Sequence, residues 1–357
     1  MNRNVPPSME GAPIPDGDAP RVLVVDDSAP LRGALAEVLE EGGCEVVGRA
    51  MDGSVALSLV HEQEPDVITL DLEMPRMDGF TFLRILGKTR AIPVIVITSD
   101  ARPESALLAL ELGARDFVVK PARPGDFRLL KTQLLARVRL LAGLRQRIPP
   151  TWSPPPEVPF PSSTRLVAIG CSTGGPRALR DILTRLRPPL RTPILIAQHM
   201  PPRFTEAFAD RLKKATTLDV AEAKDGELLA AGAVRIAPGG RHLRVHRDGP
   251  GLRLQLSDAQ EADRWVPSVD QLFTSAASAV GTQLLAIVLT GMGKDGVEGA
   301  RAVRAAGAPL WTESSLTAAI DGMPVAAAAA HGAADRIPLD ELAAVLARGL
   351  ERGTEPR

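Results

Sequence analysis

Short runs of aliphatic residues alternate with stretches whose apolar positions recur at helical spacing, and this pattern occurs twice along the chain. Between Arg21 and about Arg145 the aliphatic runs are Val22–Val25, Glu45–Arg49, Val67–Leu70, Val94–Thr98 and Asp116–Val119. Amphipathic stretches lie between them, among them Pro30–Glu41 and Glu104–Leu112, and Phe127–Leu144 closes the unit at helical intervals. Regular alternation of strand and helix predicts a parallel sheet with helices on both faces.

The second alternation begins at Arg165. Its candidate strands are Leu166–Gly170, Ile194–Gln198, Val234–Ala237, Leu243–His246, Leu252–Leu256 and Leu285–Leu289, with helices between several of them. Glycine-rich breaks at Pro238–Gly240 and Asp248–Gly251 predict a small antiparallel meander inside an otherwise parallel sheet. The alanine run Ala326–Ala330 reads as helix.

Between the two patterns stands RIPPTWSPPPEVPFPSS, Arg147 to Ser163, too rich in proline for a helix or a central strand. It is expected to be a semi-rigid, extended linker. The expected organisation is therefore a disordered tail over 1–20, a first domain over 21–145, a linker over 146–163 and a second domain over 164–352.

Composition narrows the class. At 357 residues the chain has room for two cores, and 45% hydrophobic with 24% charged residues is the balance of a globular protein. A net charge of −1 leaves no basic footprint for nucleic acid, and no helix-turn-helix follows the linker. Cys44 and Cys171 are the only cysteines and are not paired in a C-x-x-C spacing, so neither a disulfide framework nor a zinc site is expected. With neither an apolar leader nor a run long enough to span a bilayer, the expected location is the cytoplasm, without membrane insertion.

In the first unit the chemistry collects where strands end, which is where an open parallel sheet binds its ligands. Asp26 and Asp27 follow the first strand, Asp71 ends the third, Thr98 the fourth and Lys120 the fifth. Three converging carboxylates repel one another unless a hard cation such as Mg²⁺ sits among them. That combination suits transfer of a phosphoryl group to a carboxylate, with a lysine and a hydroxyl on its oxygens. Singly, an Asp pair after a strand is an ordinary helix cap.

Together, VLVVDDSAPLR (Val22–Arg32), DVITLDLEMPRMDGF (Asp66–Phe80), VIVITSD (Val94–Asp100) and DFVVKP (Asp116–Pro121) resemble the receiver domains of bacterial two-component response regulators. The resemblance implies a flavodoxin-like (βα)5 domain with Asp71 as phosphoacceptor and Asp26, Asp27 and Asp71 around Mg²⁺. It also implies Thr98 as switch hydroxyl, Lys120 as phosphate-binding cation, and a cis peptide from Lys120 to Pro121.

In the second unit LVAIGCSTGGP, Leu166 to Pro176, carries G-x-S-x-G in the strand–turn–helix setting that a nucleophile elbow requires. Glycines fit because the sharp turn leaves no room for side chains, and the helix N-terminus offers N–H groups to an oxyanion. Ser172 is the candidate nucleophile. It needs a base and a group that orients the base. Of five histidines, His61 falls in a helix of the first unit, His242 and His246 in the meander, and His331 in an alanine-rich helix. His199 instead follows Ile194–Gln198 at a strand end, although a hydrogen-bonded core histidine fits the spacing equally well. Asp295, in the loop TGMGKDG after Leu285–Leu289, is the candidate orienting carboxylate, or else the N-cap of the next helix. The glycines of that loop let the Met292 amide come close to a substrate.

IGCSTGGP, QHMPPRFTEAFADRL, VRIAPGGRHL, PSVDQLFTSAA and VLTGMGKDGVEGARA resemble the catalytic domain of bacterial chemotaxis methylesterases, from about Arg165 to Arg304. The order receiver, linker, catalytic domain is that family's too. The resemblance implies a doubly wound, three-layer α/β/α domain with Ser172 as nucleophile, His199 as base and Asp295 as its partner. It places the Thr173 and Met292 amides in the oxyanion hole. The activity implied is phosphorylation-controlled hydrolysis of γ-glutamyl methyl esters on the cytoplasmic helices of chemoreceptors, with deamidation of certain glutamines. A chemotaxis histidine kinase is the implied phosphodonor, and the esterase step is expected to need no cofactor.

Two departures stand out. Cys171 occupies a position where the family more often has Ala, and Trp311–Ile320, WTESSLTAAI, replaces the polar stretch expected before Gly322-Met323-Pro324. A phosphorylation-controlled binding module, with the glycine loop on a nucleotide phosphate, is the alternative; G-x-S-x-G-G matches neither usual phosphate fingerprint, and without tyrosine the chain has few stacking surfaces.

Overall fold

In the N-terminal sheet, β1 (Arg21–Val25), β2 (Glu45–Ala50), β3 (Val67–Asp71), β4 (Val94–Thr98) and β5 (Asp116–Val119) run parallel in the order β2-β1-β3-β4-β5. The structure is a computed structural model that describes residues 19–98, 103–120, 127–143 and 158–351. The chain divides into two compact units, the first ending at Ile148 and the second starting at Pro149. Of the expected N-terminal tail over 1–20, residues 1–18 lie outside the described residues, as does most of the proline-rich linker.

Strands β3 and β4 are buried throughout and β1 nearly so, because a parallel sheet is covered on both faces. The helices start where short polar side chains take up the free N–H groups of the first turn. Ser28 Oγ accepts from Leu31 N–H at α1 (Ala29–Glu41), where Pro30 sits in the first turn and gives up no bond. Asp52 accepts from Ser54 and Val55 N–H at α2 (Gly53–Gln63), and Asp78 from Thr81 N–H at α3 (Gly79–Thr89). Helices α4 (Pro103–Glu111) and α5 (Phe127–Ala142) complete the unit, α5 packing with α1 and α2 with α3.

The second unit is built on β6 (Leu166–Cys171), β7 (Ile194–Gln198), β8 (Val220–Glu222), β9 (Val234–Ile236), β12 (Leu284–Val288), β13 (Leu310–Glu313) and β14 (Asp335–Ile337). Their order is β14-β13-β12-β6-β7-β9-β8, and every pairing is parallel. Helix α6 (Gly175–Leu183) packs with α7 (Phe204–Ala215) and α11 (Leu339–Glu351). Helix α9 (Val297–Ala305) packs with α8 (Val269–Val280) and α10 (Gly322–His331).

The antiparallel element differs from expectation in its place. β10 (Arg241–Asp248) and β11 (Gly251–Asp258) form a separate hairpin laid on α8, with one further antiparallel bridge from Arg253 to Leu228, and do not enter the seven-stranded sheet. The ribbon buries one side, Leu243 and Val245 with Leu254 and Leu256, and leaves the other polar. Such a one-sided ribbon can cover a helix without a sheet to join. Strands β8, β13 and β14, three or four residues each, were not expected from the apolar pattern.

The topology fixes the place of the chemistry. β12, β6 and β7 are adjacent, parallel and fully buried, so their C-terminal ends open on one edge of the sheet. No helix among the described residues is long and apolar enough to cross a membrane.

Candidate active site

At the C-terminal edge of the first sheet, carboxylate oxygens of Asp26, Asp27 and Asp71 lie within 4.8 Å of one another. Lys120 Nζ donates to Asp71 Oδ2 at 2.7 Å and stands 3.3 Å from Asp26 Oδ2, an ion-pair distance without hydrogen-bond geometry. Asp26 Oδ1 accepts from Ser28 N–H, whereas the buried Oδ2 has no hydrogen-bond donor among the described residues. Burial pushes the Asp26 carboxyl above the ordinary range against the pull of Lys120, and the charge of Asp71 adds to the rise. An all-oxygen set with an unsatisfied buried acceptor and surplus negative charge fits a hard dication such as Mg²⁺. Thr98 is buried at the end of β4, and its carbonyl accepts from Lys120 N–H. The Lys120–Pro121 peptide lies outside the described residues.

In the second unit Ser172 follows β6 directly and precedes α6 by a tight turn. Ser172 N–H donates to Thr290 O, and Ser172 O accepts from Gly175 N–H. Gly174 has φ 82°, and a Cβ there would stand 2.8 Å from Ala319 Cβ. A Cβ on Gly175 would stand 2.1 Å from Gln198 Oε1. Both glycines are therefore required by space, and Gly174 by backbone conformation as well.

His199 follows β7, held to the neighbouring strand end by its N–H to Cys171 O. His199 Nε2 is bonded to Asp295 Oδ2 at 2.7 Å. The other ring nitrogen, Nδ1, is buried and has no partner among the described residues. No hydrogen bond joins Ser172 Oγ to His199 among the described residues; such bonds are often open before substrate arrives.

Asp295 comes from the loop after β12, but it caps a different helix from the one that follows it. Its carboxylate accepts from Val269 N–H at 2.7 Å, Asp270 N–H at 3.0 Å and Ser268 Oγ–H at 3.1 Å, all at the start of α8. Gly296, not Asp295, occupies the cap position of α9. Burial pushes the Asp295 carboxyl up, yet the hydrogen bond and charge of His199 with the α8 amides outweigh it and hold the group below the usual range. The carboxylate is thus ionised and aimed at the imidazole.

Thr173 is buried in the nucleophile turn, and Met292 sits in the facing loop. The two loops are tied by Thr290, whose Oγ1 donates to Thr173 O and accepts from Ile320 N–H. Met292 N–H has no acceptor among the described residues. Position 291 must stay glycine, since a Cβ there would lie 2.9 Å from Ser172 Cβ. Ionised carboxylate, imidazole, hydroxyl and a loop amide on one sheet edge can perform acyl transfer.

Two family models match the chain. Residues 167–346 match the CheB methylesterase model, and residues 22–130 match the response regulator receiver domain. A protein-glutamate methylesterase/protein-glutamine glutaminase of Myxococcus xanthus is 44% identical over 338 residues, covering 91% of this chain and 96% of the relative. One from Pseudomonas aeruginosa is 42% identical, covering 91% and 95%. The chain belongs to the CheB methylesterase family. The crystal structure of the CheB methylesterase catalytic domain of Thermotoga maritima is 36% identical, with a TM-score of 0.50, and covers 52% of this chain and 98% of that one.

Beside this methylesterase site stand further residues that the sequence pattern did not single out as functional. Gln198 ends β7 buried, its Nε2 donating to both Ser172 O and His199 O at 3.0 Å and its Oε1 accepting from Cys171 Sγ–H. A polar residue closing an otherwise apolar strand was its signal. Trp265 stacks on His199. Its signal was faint: one of three tryptophans, in a polar loop. Cys171, the departure beside the nucleophile, is fully buried, and burial pushes its thiol far up.

Proposed function

We propose that Ser172, His199 and Asp295 act as a catalytic triad that hydrolyses γ-glutamyl methyl esters of chemoreceptors and deamidates receptor glutamines. The activity is that of the relatives, named as protein-glutamate methylesterases and protein-glutamine glutaminases. The observation that carries the assignment is the 2.7 Å contact between His199 Nε2 and a buried, ionised Asp295, at the strand ends next to Ser172.

Ser172 Oγ attacks the ester carbonyl carbon as His199 Nδ1 takes its proton, and Asp295 steadies the imidazolium that forms. The carbonyl oxygen becomes an oxyanion held by the Thr173 and Met292 amides. Collapse expels methanol, protonated by His199, and leaves a glutamyl ester on Ser172. Water activated by His199 attacks that ester, and Ser172 regains its proton as the glutamate side chain leaves. With glutamine the leaving group is ammonia, and the tetrahedral species is otherwise the same.

The receiver unit supplies control. A chemotaxis histidine kinase gives its phosphoryl group to Asp71, Lys120 and Thr98 hold the new oxygens, and Asp26, Asp27 and Asp71 would hold Mg²⁺. The cation supplies neutralisation of charge on the group in transfer. Phosphorylation adds roughly −1.5 to −2 charges at the sheet edge and shifts a two-state surface toward an active form. We place this reaction in the cytoplasm, on receptor cytoplasmic helices. A phosphate cradle leaves the His199–Asp295 pair without a task, which favours the esterase reading.

The test is methanol release from methylated receptor fragments by the full chain and by Ser172→Ala. Loss of the nucleophile should leave only roughly 10³–10⁴-fold catalysis over water. Methanol release unchanged in the variant would overturn the assignment.

A further inference from the structure

The segment that departs most from the family's expected pattern, WTESSLTAAI, places one ionisable side chain inside the protein. Glu313 ends β13 and is 1% exposed. Its Oε2 accepts from Thr290 N–H at 2.9 Å. Among the described residues no cation pairs with it.

Thr290 is the node between this carboxyl and the nucleophile. Its carbonyl accepts from Ser172 N–H at 3.0 Å, and its hydroxyl joins Thr173 O to Ile320 N–H, each at 2.9 Å. Gly291 N–H in turn donates to Ile320 O, and Met292 follows. Every peptide flanking the Thr173 amide is therefore anchored to Thr290, and the Met292 amide lies two residues further along the same chain. Among the described residues, the one side chain that grips the Thr290 backbone is Glu313.

We propose that Glu313 is a positioning residue for the hydrolysis: bonded to Thr290, its carboxylate sets the nucleophile turn and the Met292 loop, and its protonation loosens both. This rests on the triad reading above. An ionised acceptor holds an N–H about twice as strongly as a neutral one. In the acid form one oxygen becomes a donor, and the grip on Thr290 weakens.

The surroundings make that protonation accessible. Burial pushes the Glu313 carboxyl up to about 7 against the lowering by Thr290 N–H and Thr317, and the charge of Asp181 on α6 adds to the rise. Cys171 at the end of β6 is the other titratable neighbour that senses it. Of the charges on elements packed against β13, Arg336 of β14 donates to Ser315, Glu298 and Arg301 of α9 pair together, His331 of α10 bonds Ala308 O before the strand begins, and Arg304 of α9 and Asp335 of β14 are exposed.

The experiment follows methanol release by the full chain without phosphodonor, so that the receiver stays in one state from about pH 5.5 to 9. The wild type should show an acid limb to which the Glu313 ionisation contributes. Glu313→Gln keeps an oxygen for Thr290 but is a neutral acceptor that cannot ionise, so its kcat above pH 8 should fall toward that of the protonated wild type and its acid limb should lose the Glu313 ionisation. Glu313→Ala should lose about ten- to a hundredfold in kcat with KM unchanged. Should that variant fail to fold by circular dichroism, Thr290→Val, which severs Thr173 from Ile320, should show the same split. An acid limb in Glu313→Gln that superposes on wild type, or wild-type kcat in both Glu313→Ala and Thr290→Val, overturns the proposal. Failure of the triad reading is separate: it shows as methanol release that survives Ser172→Ala.

Discussion

Trp265 lies flat on His199, ring centroids 5.2 Å apart and planes 4° from parallel. The Arg264 guanidinium sits 5.3 Å from the Trp265 ring centre, and the indole also covers Gly293, where a Cβ would stand 2.9 Å from it. The imidazole is thereby fixed in plane as well as bonded at Nε2. An offset stack contributes about 0.5–1.5 kcal/mol beyond its area. Trp265→Leu should lower kcat about three- to tenfold with little change in KM, and Trp265→Phe should restore most of it. Steady-state methanol release separates the two parameters.

Asp295→Asn keeps the shape of the side chain but removes its charge and inverts the hydrogen-bond logic at His199 Nε2. The expected loss in kcat is about 10⁴, as for a triad whose imidazole is held in the wrong tautomer. The measurement is single-turnover ester hydrolysis beside the Ser172→Ala baseline. A loss below about tenfold would mean that the carboxylate does not orient the base.

The same carboxylate carries a pH-dependent share of stability. Because Asp295 is held below the ordinary range when folded, its contribution is complete above the unfolded value of about 3.9. It is lost as the pH falls through the depressed folded value. Denaturant unfolding of wild type and Asp295→Asn should therefore differ most above about pH 4 and converge in stronger acid.

Cys171 adjoins the nucleophile but should not react. Fully buried, with its Sγ–H donated to Gln198 Oε1 and its thiol pushed far up, it offers no thiolate. Native protein treated with iodoacetamide should keep full activity and an unmodified Cys171 by peptide mass. A fluorophosphonate should label Ser172 and nothing in the Ser172→Ala variant.

Phosphorylation should depend on the acidic cluster in the first unit. Acetyl phosphate with Mg²⁺ should add one phosphoryl group, chelation should prevent it, and Asp71→Asn should abolish it by intact mass. Asp26→Asn should weaken Mg²⁺ binding about tenfold or more, since it removes the buried oxygen that no hydrogen-bond donor satisfies. Fluorescence or calorimetric titration measures that affinity.

Long apolar strands were the most legible part of the molecule. β4, β5 and β7 run over the residues that their aliphatic runs predicted, because a strand buried on both faces is mostly apolar. Ser172 stood out as the candidate nucleophile because a nucleophile elbow needs its glycines in fixed places. What stayed hidden depends on distance. Asp295 pointed in sequence to α9, its neighbour, whereas it caps α8, whose Val269 lies 26 positions earlier. β13 was missed because four residues, one of them a buried glutamate, show no periodicity. The hairpin of β10 and β11 was readable as a hairpin, but only the packing on α8 reveals that it lies outside the sheet.

The three strands that carry Ser172, His199 and Asp295 are immediate neighbours in a single hydrogen-bonded ladder. Their backbone positions are therefore fixed by one sheet, and adjustments of the site fall to the loops that follow the strands.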